Sequence, residues 1–485
     1  MSSAGLFARL ALASFAAPLL TPFLPSFLAV SPALAAAPPA VTPAKPREPT
    51  RDPAASEPPP QRKRPDYDGR GGPPEPLGRK LLWAPRLLLL PAYAVSEYVV
   101  RRPLEAGITY AEKSGWPAAI SDFLALGEQR SAGVVPFVLI EFGFEPSFGL
   151  YAYWDDVGFK GHQLRLRGAM WDSSWLSGTV TERFIIDDRL ELSLTSTLTR
   201  RPDYAFYGVG PDVRETNKVR YSGETAFARF QSHLSFDGHS SLDVSAGYRG
   251  AAYGHTTWND GERDASDFQP SLDDAVAAGE LPEPAGFRDG FRAPFAGARL
   301  VLDSRRRSRR SSGARLDTFV EQSVDLKNAP SAGWLRYGTT LSGFVDLNQG
   351  GRMLSLALTT IFVDPLGERP VPFTQLAGLG GGRTMPGLRS GRLFDRSAVV
   401  ATLRYSWPIW LALSGSLQAS LGNVLGPHLQ GIRPGRARVS TAIGLETSRN
   451  RDSVFQALVG FGTETIESGA EFDSVRFLIG VRNQY

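Results

Sequence analysis

The sequence predicts an all-β fold: a transmembrane antiparallel β-barrel of about 16 strands, preceded by a Pro-rich linker and a short interfacial helical segment. Three observations carry this expectation. Apolar and polar residues alternate with period two through most of the chain after about residue 133. The alternating segments run about 9–12 residues, the length needed to cross a bilayer at a tilt. The connections between them are alternately short and long, as in barrels whose turns are tight on one side of the membrane and extended on the other. Beyond the first hundred residues no apolar run reaches the ~18 residues of a spanning helix. A barrel does not need one, because only alternate residues of a strand meet lipid.

The segments follow in order. Residues 1–35 read as a signal peptide: Arg9 precedes an apolar stretch broken by Pro18, Pro22 and Pro25, which closes on the small-x-small pattern Ala33-Leu34-Ala35. A buried core helix would not tolerate three prolines. Residues 36–79 hold 13 prolines among 44 residues and form a Pro-rich, disordered linker, since such a stretch has too little apolar surface to bury. Residues 80–130 turn apolar again, but Pro85, Arg86, Pro91 and Glu97 interrupt the run, and hydrocarbon would not accept them. Trp83, Tyr93, Tyr98 and Trp116, with Arg101 and Arg102, suit an amphipathic helix lying in the membrane interface. A helix plugging the barrel lumen and a small soluble subdomain stay open beside it.

Residues 131–485 then read as the barrel. Leu190, Leu192, Leu194 and Leu198 share one strand face, and Glu191, Ser193, Thr195, Thr197 and Thr199 the other. Leu354, Leu356 and Leu358 alternate with Ser355, Ala357 and Thr359, and Leu417, Ala419 and Leu421 with Ser416, Gln418 and Ser420. A soluble sandwich would alternate too; segment length and loop asymmetry decide for the barrel. Strands are expected near 133–142, 147–154, 163–171, 175–184, 190–200, 220–232, 240–250 and 294–303. Eight more follow near 313–324, 334–347, 352–363, 397–407, 411–421, 436–447, 453–462 and 473–484. An even count leaves both barrel ends on one side, here the periplasm, with the linker.

Several chemistries are excluded or lack a motif. Cysteine is absent, which removes disulfides, thiolate metal sites and thiol nucleophiles. The five histidines, His162, His233, His239, His255 and His428, show no metal-ligand spacing, and no nucleophile elbow or phosphate loop is present. No enzyme, cofactor or metal is therefore expected, with a lumenal or rim Ser-His or Asp-His hydrolase site, which needs no local motif, left open as a third reading. The 53 basic and 49 acidic residues nearly balance; the one basic cluster, Arg305–Arg310, suits a turn near anionic headgroups better than nucleic acid. Ala251–Ala293 is an acidic outer loop, solvated or holding divalent cations beside lipopolysaccharide.

The segment Leu379–Trp410 (LGGGRTMPGLRSGRLFDRSAVVATLRYSWPIW) resembles the BamA/TamA-type outer-membrane assembly-barrel superfamily, the bacterial surface antigens. The family pattern is a Gly-Gly run, an Arg-Gly-aromatic tripeptide and an acidic-basic pair ahead of a strand with an Arg-x-Pro-like exit. Gly380, Gly381 and Gly382, then Gly387, then Asp395-Arg396 and Arg404–Pro408 stand in those places, with Arg383 and Arg389 flanking the tripeptide. Ala205–Asp212 (AFYGVGPD), Arg299–Arg305 and the C-terminal SVRFLIGVRNQY also look similar, so the resemblance covers roughly 130–485. It places this motif in the sixth outer loop, between strands eleven and twelve.

Two departures qualify what it implies. In the family, the tripeptide's Arg enters the lumen and meets an acid on a later strand. Here those positions hold Pro386, with Leu388 for the aromatic, and Ser420 as the lumen partner position. Losing both is coherent, because losing one would strand a buried charge at about 3–5 kcal/mol. The loop is then held otherwise, with Arg383 or Arg389 and Asp395 as candidates, or is loose. The second departure is that about 95 residues between cleavage site and barrel, mostly linker, leave no room for the POTRA domains typical of the insertases.

The resemblance implies an outer-membrane protein that helps insert or move protein or lipid, with outer-membrane lipids, lipopolysaccharide and the assembly machinery as partners. A passive pore or structural barrel is the alternative, and the client is unspecified. The last strand should be the insertion signal: Phe477, Ile479 and Val481 alternate toward lipid and the chain ends on Tyr485. Deleting Tyr485 together with Phe477→Ser should strand the protein in the periplasm. Normal outer-membrane yield of that variant, measured by fractionation, would contradict the assignment.

Overall fold

The computed structural model describes residues 131–483 apart from 142–143, 237–238, 257–268, 306–310, 328–331, 348–350, 382–383, 411–412 and 448–452, together with 125–126 and residues 98, 102 and 110. The signal peptide, the linker and nearly all of the segment assigned to an interfacial helix therefore lie outside the described residues.

Sixteen antiparallel strands close into one barrel sheet, to which a two-residue strand, Ala125–Leu126, adds beside Ala132–Gly133. They are β1 (Ala132–Glu141), β2 (Ser147–Asp155), β3 (His162–Met170), β4 (Leu176–Ile185), β5 (Leu190–Phe206), β6 (Val219–Ser235), β7 (Ser241–Gly254) and β8 (Phe291–Asp303). The second half comprises β9 (Gly313–Val324), β10 (Gly333–Asp346), β11 (Met353–Pro365), β12 (Ser397–Trp410), β13 (Leu413–Leu425), β14 (Arg438–Thr447), β15 (Ser453–Thr465) and β16 (Phe472–Asn483). Each expected segment is a strand. Every connection at the end where the chain enters β1 is nine residues or shorter, whereas the opposite end carries 255–290 and 366–396.

The period-two pattern separates the two faces. Leu150, Leu341, Leu356 and Leu358 stand exposed on the outside. So do Phe477 and Ile479 of β16, two residues of the expected insertion signal; the side chains of Val481 and Tyr485 lie outside the described residues. Such an apolar belt is stable only against lipid. Inside, hydroxyls pair across strands: Ser177 with Thr199 (3.0 Å), Thr179 with Thr197 (3.2 Å) and Thr181 with Thr195 (3.3 Å). Arg183 completes this wall on Glu191 at 2.8 Å.

Strand ends shift by a few residues, so the outer loop expected at Ala251–Ala293 spans 255–290, and the largest departure has a clear reason. Arg200-Arg201-Pro202 reads as a strand end, yet β5 runs on to Phe206. The register against β6 shifts between Arg201 and Tyr204, so Pro202 sits at an irregularity where its missing N–H costs nothing. The extension carries Tyr204, Ala205 and Phe206 into the main apolar core. That core is built at the outer mouth. Phe206, Tyr207, Tyr221, Leu272, Phe287 and Phe373 pack there with Met385, Leu388 and Leu393 of the sixth outer loop. A six-residue helix, α1 (Leu272–Ala277), lies in the fourth outer loop and buries Leu272 and Ala275.

The two faces should differ sharply in tolerance. Leu358→Arg, at the middle of β11 on the lipid side, is expected to cost about 2–4 kcal/mol of folding stability. Thr197→Arg on the lumenal wall should cost well under half of that. Equilibrium unfolding by urea into and out of lipid vesicles compares them; equal costs would reverse the assignment of faces.

Candidate functional site: the sixth outer loop and the barrel seam

The sixth outer loop, residues 366–396, folds over the mouth and dips back toward the barrel wall. Its arms form a two-stranded ladder, Ala377–Leu379 against Leu393–Asp395. The turn out of the first arm needs glycine: Gly380 has φ 111° and a Cβ there would lie 2.2 Å from the Arg389 carbonyl. Gly381 follows at φ 67°. Gly382 and Arg383 lie outside the described residues.

Beyond them the loop tip meets the inner wall of β14–β16. The Gly387 N–H donates to Ser440 Oγ at 2.8 Å, and Ser474 Oγ donates to the Gly387 carbonyl at 3.0 Å. A Cβ on Gly387 would strike the Phe461 carbonyl at 2.1 Å, so the close approach of two backbones fixes this residue as glycine. Arg476 Nη1 donates to the Pro386 carbonyl at 3.3 Å, and Leu388 is fully buried in the mouth core. Ser420 is buried on β13 and bonds to Thr402 and Gln418 (both 3.2 Å), which themselves reach the Thr384 carbonyl at 3.4 and 3.3 Å. Positions 386 and 420 thus share one neighbourhood, and neither carries charge.

The loop is fixed by a different arginine. Arg392, fully buried, directs Nε to Asp473 Oδ2 at 3.0 Å and Nη2 to Glu464 Oε1 at 2.9 Å. Its Nη1 donates to the Val213 carbonyl at 3.0 Å, and the guanidinium lies 4.8 Å from the centre of the Tyr207 ring. Arg438, equally buried at the start of β14, shares Glu464 and also donates to the Val213 carbonyl at 2.6 Å. Glu215, on the third outer loop, lies 3.6 Å from both Arg389 and Arg392. Burial, followed by the nearby Asp473, holds the Glu215 carboxyl above its usual range.

Three guanidiniums therefore face three carboxylates across the third and sixth loops and the outer ends of β14, β15 and β16. Asp395 accepts the Arg396 N–H at 2.7 Å, while Arg396 pairs with Asp364 at 2.8 Å. Sequence reasoning passed over Arg392, Arg438, Glu464 and Asp473. Arg392 is one arginine among several in RSGRLFDR, and its acids lie 72 and 81 residues downstream at strand ends. Nothing local marks them.

Next to this anchored wall lies the shortest ladder between two of the sixteen barrel strands, as far as the described residues go. Among the described residues β16 pairs with β1 over three residues, Leu478–Gly480 against Leu139–Glu141. Every other neighbouring pair among the sixteen barrel strands is registered over eight or more of the described residues. Residue 136 on β1 is proline and has no N–H to give a ladder.

Among the described residues, His255, Asp273 and Asp274 could bring one ligand atom each within 4.8 Å of one another. The group lies at the fourth outer loop, and the His255 ring already bonds Asp273 at 3.1 Å.

The geometry defines a sixteen-stranded transmembrane barrel with an infolded sixth outer loop and one short seam. No family model and no curated protein matches the sequence. Among solved structures, BamA from Haemophilus ducreyi lacking POTRA domains 1–3 has the same fold, with a TM-score of 0.50 at 14% identity over 72% of this chain and 70% of that one. CdiB from Acinetobacter baumannii aligns at a TM-score of 0.43 and 12% identity, over 72% of this chain and 59% of its own. The chain has the BamA-type barrel fold.

If Arg392 holds the loop through its acids, Arg392→Ala should destabilise the barrel by about 3–5 kcal/mol and Asp473→Ala by a similar amount, each stranding a buried charge. Together they should cost clearly less than the sum. Additive losses in a double-mutant cycle on unfolding in detergent would show that the two side chains act independently.

Proposed function

We propose that the protein is an integral, non-enzymatic outer-membrane barrel that assists insertion or translocation of protein or lipid, with its linker in the periplasm. The observation that carries this reading is the three-residue seam between β16 and β1. Each ladder hydrogen bond left unmade in hydrocarbon is costly, so a short seam is the place where the sheet opens at least expense. The sixth loop fastens β14–β16 from inside, which leaves β1 as the strand free to part. The likeness in fold to BamA supports the same reading.

A passive open pore fits less well, because the described outer loops pack an apolar core across the mouth. Outer-membrane lipids, lipopolysaccharide and the assembly machinery during biogenesis remain the proposed partners.

The absence of cysteine gives a clean test. Ile140 and Ile479 are registered partners across the seam. With Ile140→Cys and Ile479→Cys together, oxidation should close it. Vesicles carrying the oxidised barrel should no longer accelerate folding of an added unfolded outer-membrane protein, and reduction should restore the acceleration. Equal acceleration by oxidised and reduced protein would leave the seam without a role and favour a structural barrel.

A further inference from the structure

Beneath the loop cap, in the outer half of the lumen, lies a cavity of about 760 Å³. Its charged lining is one-sided: Arg167, Arg201, Arg249, Arg336 and Arg476 face it, against Glu321 alone. The single carboxylate is already engaged, since Glu321 Oε2 lies 2.6 Å from Arg249 Nη2. Arg336 stands directly across the ladder from Glu321 and feels its charge, yet among the described residues its side chain makes no ion pair or hydrogen bond, and its Nε is buried without a partner. Arg167 enters from the opposite wall and lies over the Phe137 ring at 4.1 Å, with no acid paired to it among the described residues. Arg201 and Arg476 are held by Asp203 and by the Pro386 carbonyl.

Several arginines elsewhere on the lumenal wall are matched, Arg183 with Glu191, Arg299 with Asp317 and Arg165 with Asp155, although Arg229 has a buried Nε without a partner. The largest group of arginines with few acids gathers at this cavity. A buried cation without a counter-ion costs several kcal/mol, and a guanidinium supplies paired donors suited to a phosphate.

We propose that this cavity is a binding site for a phosphate-bearing ligand, held by Arg167 and Arg336 with Arg249 beside them. The inference goes beyond the assembly reading and does not depend on it. The rest of the lining is apolar and includes Phe227, Phe394 and, at the seam itself, Leu139 and Leu478. The phosphate could thus belong to a lipid whose chains lie toward the seam, or to a soluble anion from the periplasm. The shared chemistry is the phosphate.

The test uses the full chain in non-ionic detergent, with thermal unfolding followed at constant ionic strength. Inorganic phosphate should raise the unfolding temperature saturably while chloride does not. Arg336→Gln and Arg167→Gln should each raise the half-saturating concentration about ten-fold or more. Arg288→Gln, on an exposed outer loop, should leave it unchanged. Dioctanoyl phosphatidic acid saturating well below inorganic phosphate assigns the site to a lipid headgroup, and equal concentrations assign it to a soluble anion. If Arg336→Gln does not fold, Arg336→Lys and Arg167→Gln read the same effect. No saturable response to either phosphate, or an identical response in Arg167→Gln and Arg288→Gln, overturns the proposal.

Discussion

Hydrocarbon offers no hydrogen bonds, so each backbone N–H and C=O that crosses it must find a partner within the protein. For a chain whose pattern is period two, the way to meet that demand is to close the sheet on itself. Most of the architecture follows. The strand count is even, so the two ends meet on one side of the membrane. Connections on that side are short, and the long ones gather at the opposite mouth. There they are free to pack the core that the interior of the barrel, lined by hydroxyl and ionic groups, does not provide. The demand is met least completely between β16 and β1, where the ladder is brief and β1 carries Pro136.

The ionic cluster around Arg392 complements that weak closure. Burying an ion pair gives little net stability compared with apolar packing, but removing one member of it is expensive. Its effect is therefore specificity: the sixth loop has one seat, on β14–β16 and the third loop, and shifting it would strand several charges together. On one side of the seam the loop is fastened to three strands by this cluster; on the other, the loop after β1 is tied by the Glu145 N–H to Asp203, which Arg201 holds. Where the family pattern has one Arg–acid lock at the loop tip, this chain carries neutral residues at Pro386 and Ser420. The tip is held there by backbone contacts around Gly387, and the charge is concentrated farther along the loop arm.

The fold was largely legible in the sequence because alternation is a local signal. Leu354–Thr359 shows which face meets lipid without reference to any other strand. Where long-range packing extends a strand, as at Tyr204–Phe206, local pattern stops short at Arg200-Arg201-Pro202. The loop motif was legible as glycines: Gly380 and Gly387 are glycine because of backbone conformation and close approach. Its anchoring was not, because the acids for Arg392 come from the ends of β15 and β16, and only closure of the barrel brings them together. The same holds for the cavity arginines, which come from β3, β5, β7, β10 and β16 and have no spacing in common.

The cap and the seam also constrain each other. In the described residues the outer mouth is packed with aromatic and aliphatic side chains, among them Phe206, Phe287 and Phe373 at full or near-full burial. A polypeptide or lipid entering the lumen from the periplasm could leave outward only by displacing that core, which would expose several large apolar side chains at about 1.5–3 kcal/mol each. Parting β1 from β16 breaks a ladder that spans three of the described residue pairs instead. The lateral route is the less costly of the two, and the arginine-lined cavity lies beside it, with Leu139, Leu478 and Gly480 in its lining. Closure above and weakness at the side are thus linked: the better the loops seal the mouth, the more any traffic through this barrel is directed toward the bilayer.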